Sequence, residues 1–311
     1  MKNILVTGGA GYIGSKLITK LLNLNFKVTV IDSLKFSNRS INHLFDNKNF
    51  NFIKGDIRDK KTMKKLIKNH EFIIPLAALV GAPLCKKNKK EAVSVNLESI
   101  KFMVKNLNKK NKVIYLTTNS GYGIGEKNKY CDENSILKPI SLYGRTKVDA
   151  EKEIMKYKNS IAFRLATVFG YSFRMRTDLL VNNFVFRAIK EKNLKIYEPH
   201  FRRNYIHIND VVDAIIYSIK NFNRLKSNVY NLGLSSANLT KIMLAKKIKK
   251  KLNYLKIKII KHKKDPDQRD YFVSNKKIEK KGFKPKVGLE QGIDELINIF
   301  KHSKENFINN Y

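Results

Sequence analysis

An α/β fold, with a doubly wound parallel sheet and a smaller C-terminal lobe, is predicted by three features of this 311-residue sequence. Short β-type runs alternate with helical spacing, a glycine-rich turn joins the first strand to the first helix, and an acid closes the second strand. The runs are Ile4 to Thr7, Lys27 to Ile31, Phe50 to Lys54, Phe72 to Leu76, Lys112 to Thr117 and Ile161 to Leu165. Between them, Ile13 to Leu24 and Val93 to Leu107 carry helical periodicity. Such alternation implies right-handed crossovers with helices on both faces of the sheet. After about residue 170 it becomes irregular, with helical stretches at Leu179 to Lys190, Val211 to Lys220 and Leu239 to Leu252 around short strands. The expected division is 1–170 for the sheet domain and 171–311 for the second lobe, with residues around 202–222 returning to the first domain. There is no internal repeat and no Pro- or Ser-rich linker.

Composition bounds the function classes. A 42% hydrophobic content suffices for a sizeable core and excludes disorder throughout. The longest apolar run, Phe72 to Cys85, is broken by Pro75, Gly81 and Pro83, short of the ~18 residues that a membrane span needs. The chain opens on a strand pattern, Lys2 to Thr7, with no cleavable signal, and a cytoplasmic location is expected. Cys85 and Cys131 are too few for a disulfide framework, and the six His show no metal-ligand spacing, so no metal is expected. Lys+Arg number 63 against 26 Asp+Glu, a net charge of +37. Only 11 of the basic residues are Arg, alongside 34 Asn, and the lysines are dispersed. Base readers cluster Arg, so nucleic acid is not the expected partner, and the Lys/Asn-rich composition is that of an AT-rich coding sequence. Runs such as Lys246 to Lys251 read as solvated helix faces, while the overall field attracts anionic ligands.

The glycine turn is Thr7-Gly8-Gly9-Ala10-Gly11-Tyr12-Ile13-Gly14. Glycines there let the backbone approach a pyrophosphate, and the following helix N-terminus offers N–H groups and a favourable dipole. The next strand ends at Asp32, 18 residues past Gly14. A carboxylate there accepts hydrogen bonds from adenosine ribose hydroxyls and repels a 2′-phosphate, which favours NAD over NADP. Asp56 and Ile57, just past the third strand, stand within reach of the adenine, although an Asp closing a strand is also an ordinary helix cap.

The Gly-x-x-Gly-x-x-Gly spacing resembles that of the extended short-chain dehydrogenase/reductases, the NAD-dependent epimerase/dehydratase family of nucleotide-sugar enzymes, and the resemblance covers essentially the whole chain. It implies a Rossmann-type domain in which Gly8, Gly11, Tyr12, Ile13 and Gly14 meet the cofactor. Leu76-Ala77-Ala78 resembles the family's stretch along the cofactor, with Pro75 where a His is common. Asn96 sits where the family often has an Asn, in a structural or cofactor-adjacent role.

Tyr143-Gly144-Arg145-Thr146-Lys147 puts a phenol and an ammonium at i and i+4, on one helix face. A phenol of pKa about 10 acts as a base near neutrality only when its phenolate is stabilised. The Lys147 ammonium and a positive nicotinamide ring both do that. Aligned on the family's closing Tyr-Gly pair, here Tyr122-Gly123, Thr118 takes the catalytic Ser/Thr place. The implied chemistry is proton removal from a sugar hydroxyl by Tyr143, with hydride transfer from the same carbon to the nicotinamide.

Nucleotide-sugar 4,6-dehydratases put an acidic pair directly after that Thr. Asn119 and Ser120 stand there instead, beside the substrate, which disfavours elimination of water. Diphosphate binding needs donors. By resemblance these are Arg203, in Arg202-Arg203-Asn204-Tyr205-Ile206-His207, then Asn183, and Arg269 in the late loop Asp265 to Asp270. His207 is read as structural. Stretches at Pro75 to Cys85, Asn119 to Glu126, Arg164 to Asn183, Asn231 to Thr240 and Asp265 to Asn275 look closer to the GDP-D-glycero-D-manno-heptose 4-dehydrogenases of capsular polysaccharide biosynthesis than to UDP-galactose 4-epimerases. In the latter an aromatic-Asn pair follows the sixth strand's Arg, whereas Leu165-Ala166-Thr167 follows Arg164 here. The implied activity is NAD-dependent oxidation of the C4 hydroxyl of a GDP- or UDP-linked sugar. The rivals are a nucleotide-sugar 4-epimerase and, distantly, a non-catalytic nucleotide or RNA binder. The family also implies a homodimer, paired through the helices near Val93 to Leu107 and Tyr143 to Tyr157.

Overall fold

The computed structural model describes residues 2–36, 39–126, 129–261 and 268–303. The Asp265-Pro266-Asp267 part of the late loop lies outside the described residues. Seven strands form the central sheet: β1 (Asn3–Thr7), β2 (Lys27–Asp32), β3 (Phe50–Lys54), β4 (Phe72–Pro75), β5 (Lys112–Thr118), β6 (Ser160–Leu165) and β7 (Asn228–Leu232). They pair in parallel in the order β3-β2-β1-β4-β5-β6-β7, so the winding direction reverses between β1 and β4. Six of these strands are legible in the sequence. The seventh, β7, comes from the C-terminal half, where Asn228 and Asn231 interrupt its apolar pattern. Buried Asn231 is satisfied there by Tyr122 Oη, which donates to its Oδ1 at 2.6 Å, and by Ser274 O, which accepts from its Nδ2 at 3.0 Å.

The helices are α1 (Tyr12–Asn23), α2 (Lys60–Asn69), α3 (Leu142–Met155), α4 (Leu180–Lys190), α5 (Ile208–Lys220), α6 (Lys241–Lys251) and α7 (Leu289–His302), with shorter turns between them. Ile4 and Val6 of β1 share one core with α1 and α5, and Leu5 shares another with α2 and α3. Alternate residues of a strand face opposite sides, so β1 is apolar on both, as a sheet covered on two faces requires. The 93–107 stretch does not run as one regular α-helix: a π-turn at Ser94–Glu98 precedes Ser99–Lys105. The turn delivers buried Asn96 to Leu79, whose N–H it accepts at 2.8 Å and whose carbonyl it donates to at 3.0 Å. The expected Leu239 to Leu252 helix likewise divides. Asn238–Thr240 is a strand, and Thr240 Oγ1 caps α6 by accepting from Met243 N.

A third apolar core joins α4, α6 and α7 around Phe169, Val185 and Ile293. Strand Arg202–His207 pairs in parallel with Thr167–Phe169 and antiparallel with Asn238–Thr240. Its last residue, His207, is buried, lies 2.7 Å from Glu295 and caps α5 through Nδ1. That is a structural histidine. Among the described residues no helix is long and apolar enough to cross a membrane.

Candidate active site

A cavity of about 550 Å³ opens at the carboxyl ends of the strands, around the β1/β4 reversal where open α/β sheets take their ligands. Gly8 leaves β1 at φ +71, and a Cβ there would stand 2.5 Å from Ala77 N. A Cβ on Gly14 would meet Gly8 O at 2.5 Å and Gly9 O at 2.6 Å. Positions 8 and 14 are therefore closed to any side chain, and Gly8 packs directly on Leu76 and Ala77. Gly11 precedes α1 without a side-chain cap, which leaves first-turn N–H groups for an anion. The Asp32 carboxylate accepts from Ala10 N at 2.9 Å and Leu34 N at 2.8 Å, and burial raises its pKa. A backbone cradle facing a partly buried carboxylate fits a dinucleotide. Asp56 also lines the cavity, yet it is no helix cap: Arg58 holds its carboxylate and lowers its pKa, while Asp59 caps α2.

Ser141 Oγ starts α3 by accepting from Gly144 N at 3.1 Å. This sets Tyr143 in the first turn and Lys147 one turn later, both lining the cavity with Thr118. Burial pushes the Tyr143 phenol up to about 12, against which the charges of Arg176 and Arg269 and the Thr118 hydroxyl pull it down. Burial lowers the Lys147 ammonium to about 7, with Glu151 opposing the shift. Its Nζ lies 4.1 Å from the Tyr115 ring centroid. With the two residues one turn apart on the same helix, an anionic phenolate and this ammonium would relieve each other's shifts, the electrostatic condition for a tyrosine base.

Asn183, Arg203 and Arg269, from the C-terminal half of the chain, line the same cavity. Arg203 is buried and donates to the carbonyls of Arg202 and Arg269, while Asn183 donates to Thr177 O at 3.0 Å. Arg269 Nη1 donates to Ser120 Oγ at 2.5 Å.

A model of the NAD dependent epimerase/dehydratase family matches residues 4–233. The chain belongs to this family. An uncharacterized protein of Methanocaldococcus jannaschii is 30% identical over 331 aligned residues, covering 98% of each chain. The dTDP-D-glucose 4,6-dehydratase of Homo sapiens is 25% identical, covering 99% of this chain and 92% of that one. Among solved structures, the UDP-glucuronic acid 4-epimerase of Bacillus cereus, in complex with UDP-glucuronic acid and NAD, superimposes with a TM-score of 0.82 at 26% identity, covering 97% and 99%. As a member of the epimerase/dehydratase family, the protein is an NAD-dependent enzyme.

Within this family frame, one expected substrate contact fails. Asn119 does not line the cavity: β5 ends at Thr118, and the 3-10 turn Asn119–Tyr122 that follows leaves Thr118 and Ser120 on the cavity wall but not Asn119. Its buried amide instead faces β6, within reach of Arg164 O and Ala166 N, to which it donates and from which it accepts once its O and N are exchanged. Tyr12 contributes to the cavity wall, but its hydroxyl is committed to Gly170 O at 2.7 Å. The sequence reading also misses three arginines, Arg58 among them. Arg174, whose guanidinium lies over the Phe36 ring, and Arg176, paired with Asp178, both line the cavity. With Arg58, Arg203 and Arg269 they make five of the 11 arginines, whereas only Lys35 and Lys147 of the far commoner lysines are there. The available signal was this enrichment of a rare, anion-gripping side chain in the 174–176 run.

Proposed function

We propose that the protein oxidises the C4 hydroxyl of a nucleotide-linked sugar with NAD. The observation that carries the reading is the convergence of Thr118, Tyr143 and Lys147 in one cavity with the glycine cradle, Asp32 and several arginines. NAD, when bound, supplies the hydride acceptor. Tyr143 takes the hydroxyl proton, Lys147 stabilises the phenolate, and Thr118 hydrogen-bonds at the reacting hydroxyl. Arg203, Arg269 and Asn183 hold the diphosphate. Elimination of water is disfavoured, because Ser120 supplies a hydroxyl where the 4,6-dehydratases carry an acid.

The motif resemblance favours a GDP-linked substrate of the mannoheptose type and a net 4-dehydrogenase. The similarity to a UDP-glucuronic acid 4-epimerase supports the second reading, in which the hydride returns to the other face of a retained ketone. The two-lobe division at about residue 170 and a homodimer paired through α3 and the 93–107 segment belong to the same proposal. Sedimentation at moderate salt checks the dimer, and monomers alone would contradict it. The chemistry is tested by Tyr143→Phe: turnover disappears while nucleotide-sugar binding persists. Full activity in that variant would remove Tyr143 from its role.

A further inference from the structure

We infer that Lys35 and Glu91 form a strap across the mouth of the cofactor cleft, seconded by Arg58, which has to open each time NAD or NADH enters or leaves. The inference rests on the placement of the cofactor over the glycine cradle and Asp32, and on none of the sugar chemistry proposed above.

In the sheet β1 lies between β2 and β4, and the glycine turn leaves its carboxyl end. Lys35 follows β2, just past Asp32, whose carboxylate accepts from Leu34 N at 2.8 Å. Glu91 lies on the opposite side, in the short helix Lys89–Val93 that comes between β4 and β5. Lys35 Nζ reaches both carboxylate oxygens of Glu91 at 2.8 Å. The bridge therefore joins the β2 side to the β4 side, past the end of the strand that carries the cradle. Arg58, just after β3, makes a second tie to the same segment. Its Nη1 donates to Ser94 Oγ at 3.3 Å, and Ser94 Oγ donates in turn to Glu91 O at 3.1 Å.

Lys35, Arg58 and Glu91 all line the cavity with Gly11 and Asp32, yet their side chains are 45%, 43% and 28% exposed. Groups that face both the cavity and the solvent stand at its rim. Both sides of the strap are anchored. Asp56 grips Arg58, with Nη2 2.5 Å from Oδ2, and the Glu91 segment runs into the π-turn whose Asn96 is bonded to Leu79. A bridge at the rim obstructs entry and exit alike, so it slows both steps and leaves their ratio nearly unchanged. Because an exposed pair opens at small cost, the effect is a factor of about five. Net oxidation exchanges the cofactor in every cycle, whereas epimerisation returns the hydride and retains it. The strap thus acts on the step in which the two readings differ.

The test is stopped-flow fluorescence with NADH, reading association on mixing and dissociation on displacement by excess NAD. Glu91→Gln is expected to raise both rate constants about fivefold, with Kd kept within about twofold. The sign is decisive, because removing an anion beside an anionic dinucleotide would, through its field alone, slow release. The exchanged pair Lys35→Glu/Glu91→Lys is expected to restore the parent rates to within about twofold. High salt, which screens an exposed pair, is expected to bring parent and Glu91→Gln together. Release that is unchanged or slower in Glu91→Gln would overturn the inference, as would a weaker Kd with unaltered association, the mark of a direct contact. NADH binding untouched by Asp32→Ala would overturn the placement of the cofactor and the inference with it.

Discussion

The guanidinium of Arg164 on β6 grips the carboxylate of Glu151 on α3, with Nη2 2.7 Å and Nε 3.1 Å from the same oxygen. Both side chains are buried, and Glu151 stands one helical turn beyond Lys147, whose charged form it favours. Arg164 Nη1 also donates to Tyr122 Oη at 3.1 Å and Glu133 O at 3.2 Å, so one buried cation ties α3 to the segment after β5. Removing one partner of such a pair strands a charge in the interior. Glu151→Gln is expected to cost about 3–5 kcal/mol, measured by urea denaturation, and an unchanged midpoint would contradict the structural role.

Lys147 places function and stability in opposition. Its pKa is lowered by burial from 10.5 to about 7, so between those values the unfolded chain binds more protons than the folded one. Stability therefore rises with pH through that window, and the burial penalty is felt in full below about 7. Lys147→Met is expected to abolish turnover and to raise Tm, by more at mildly acid pH than at alkaline pH. A thermal scan showing the same Tm difference at both extremes would refute this sign.

Asp32 combines two tasks. It anchors the turn through Ala10 N and Leu34 N, and it presents a carboxylate to the cavity. Asp32→Ala should weaken NAD binding by roughly tenfold or more, about the loss of a charged hydrogen bond. It should also relax discrimination against NADP. Calorimetric titration with both cofactors decides it, and an unaltered preference would exclude Asp32 from ribose recognition.

At Gly14 the relevant quantity is space. Gly14→Ala sets a Cβ 2.5 Å from one carbonyl oxygen of the turn and 2.6 Å from another, so the backbone must move. The expected result is loss of NAD binding and about 1–3 kcal/mol of stability. Retained affinity would mean that the turn is looser than its packing implies.

What was legible in the sequence is what is local in the chain. The glycine turn, Asp32 and the Tyr143/Lys147 pair each express their chemistry within a few residues, and all of them line one cavity. The fold followed from strand–helix alternation except at β7, whose two asparagines break the apolar run and whose partners are distant. Thr118 was placed by resemblance, whereas the opposed directions of Asn119 and Ser120 depend on how β5 ends. Arg58, Arg174 and Arg176 were the hardest to see, because they join Arg203 and Arg269 at one cavity from segments far apart in the chain. The π-turn at Asn96 has no local signature, since its purpose is to reach Leu79.

The central claim is hydride transfer from a nucleotide-linked sugar to NAD with Tyr143 as base. Its most direct test is NADH absorbance when the purified protein meets NAD and a panel of GDP- and UDP-linked sugars, followed by analysis of the sugars. The account predicts net NADH with a 4-keto product, or under the epimerase reading a sugar inverted at C4 without net NADH, and in both cases none of it with Tyr143→Phe. A sugar converted equally well by Tyr143→Phe, or a product that has lost water, would contradict it.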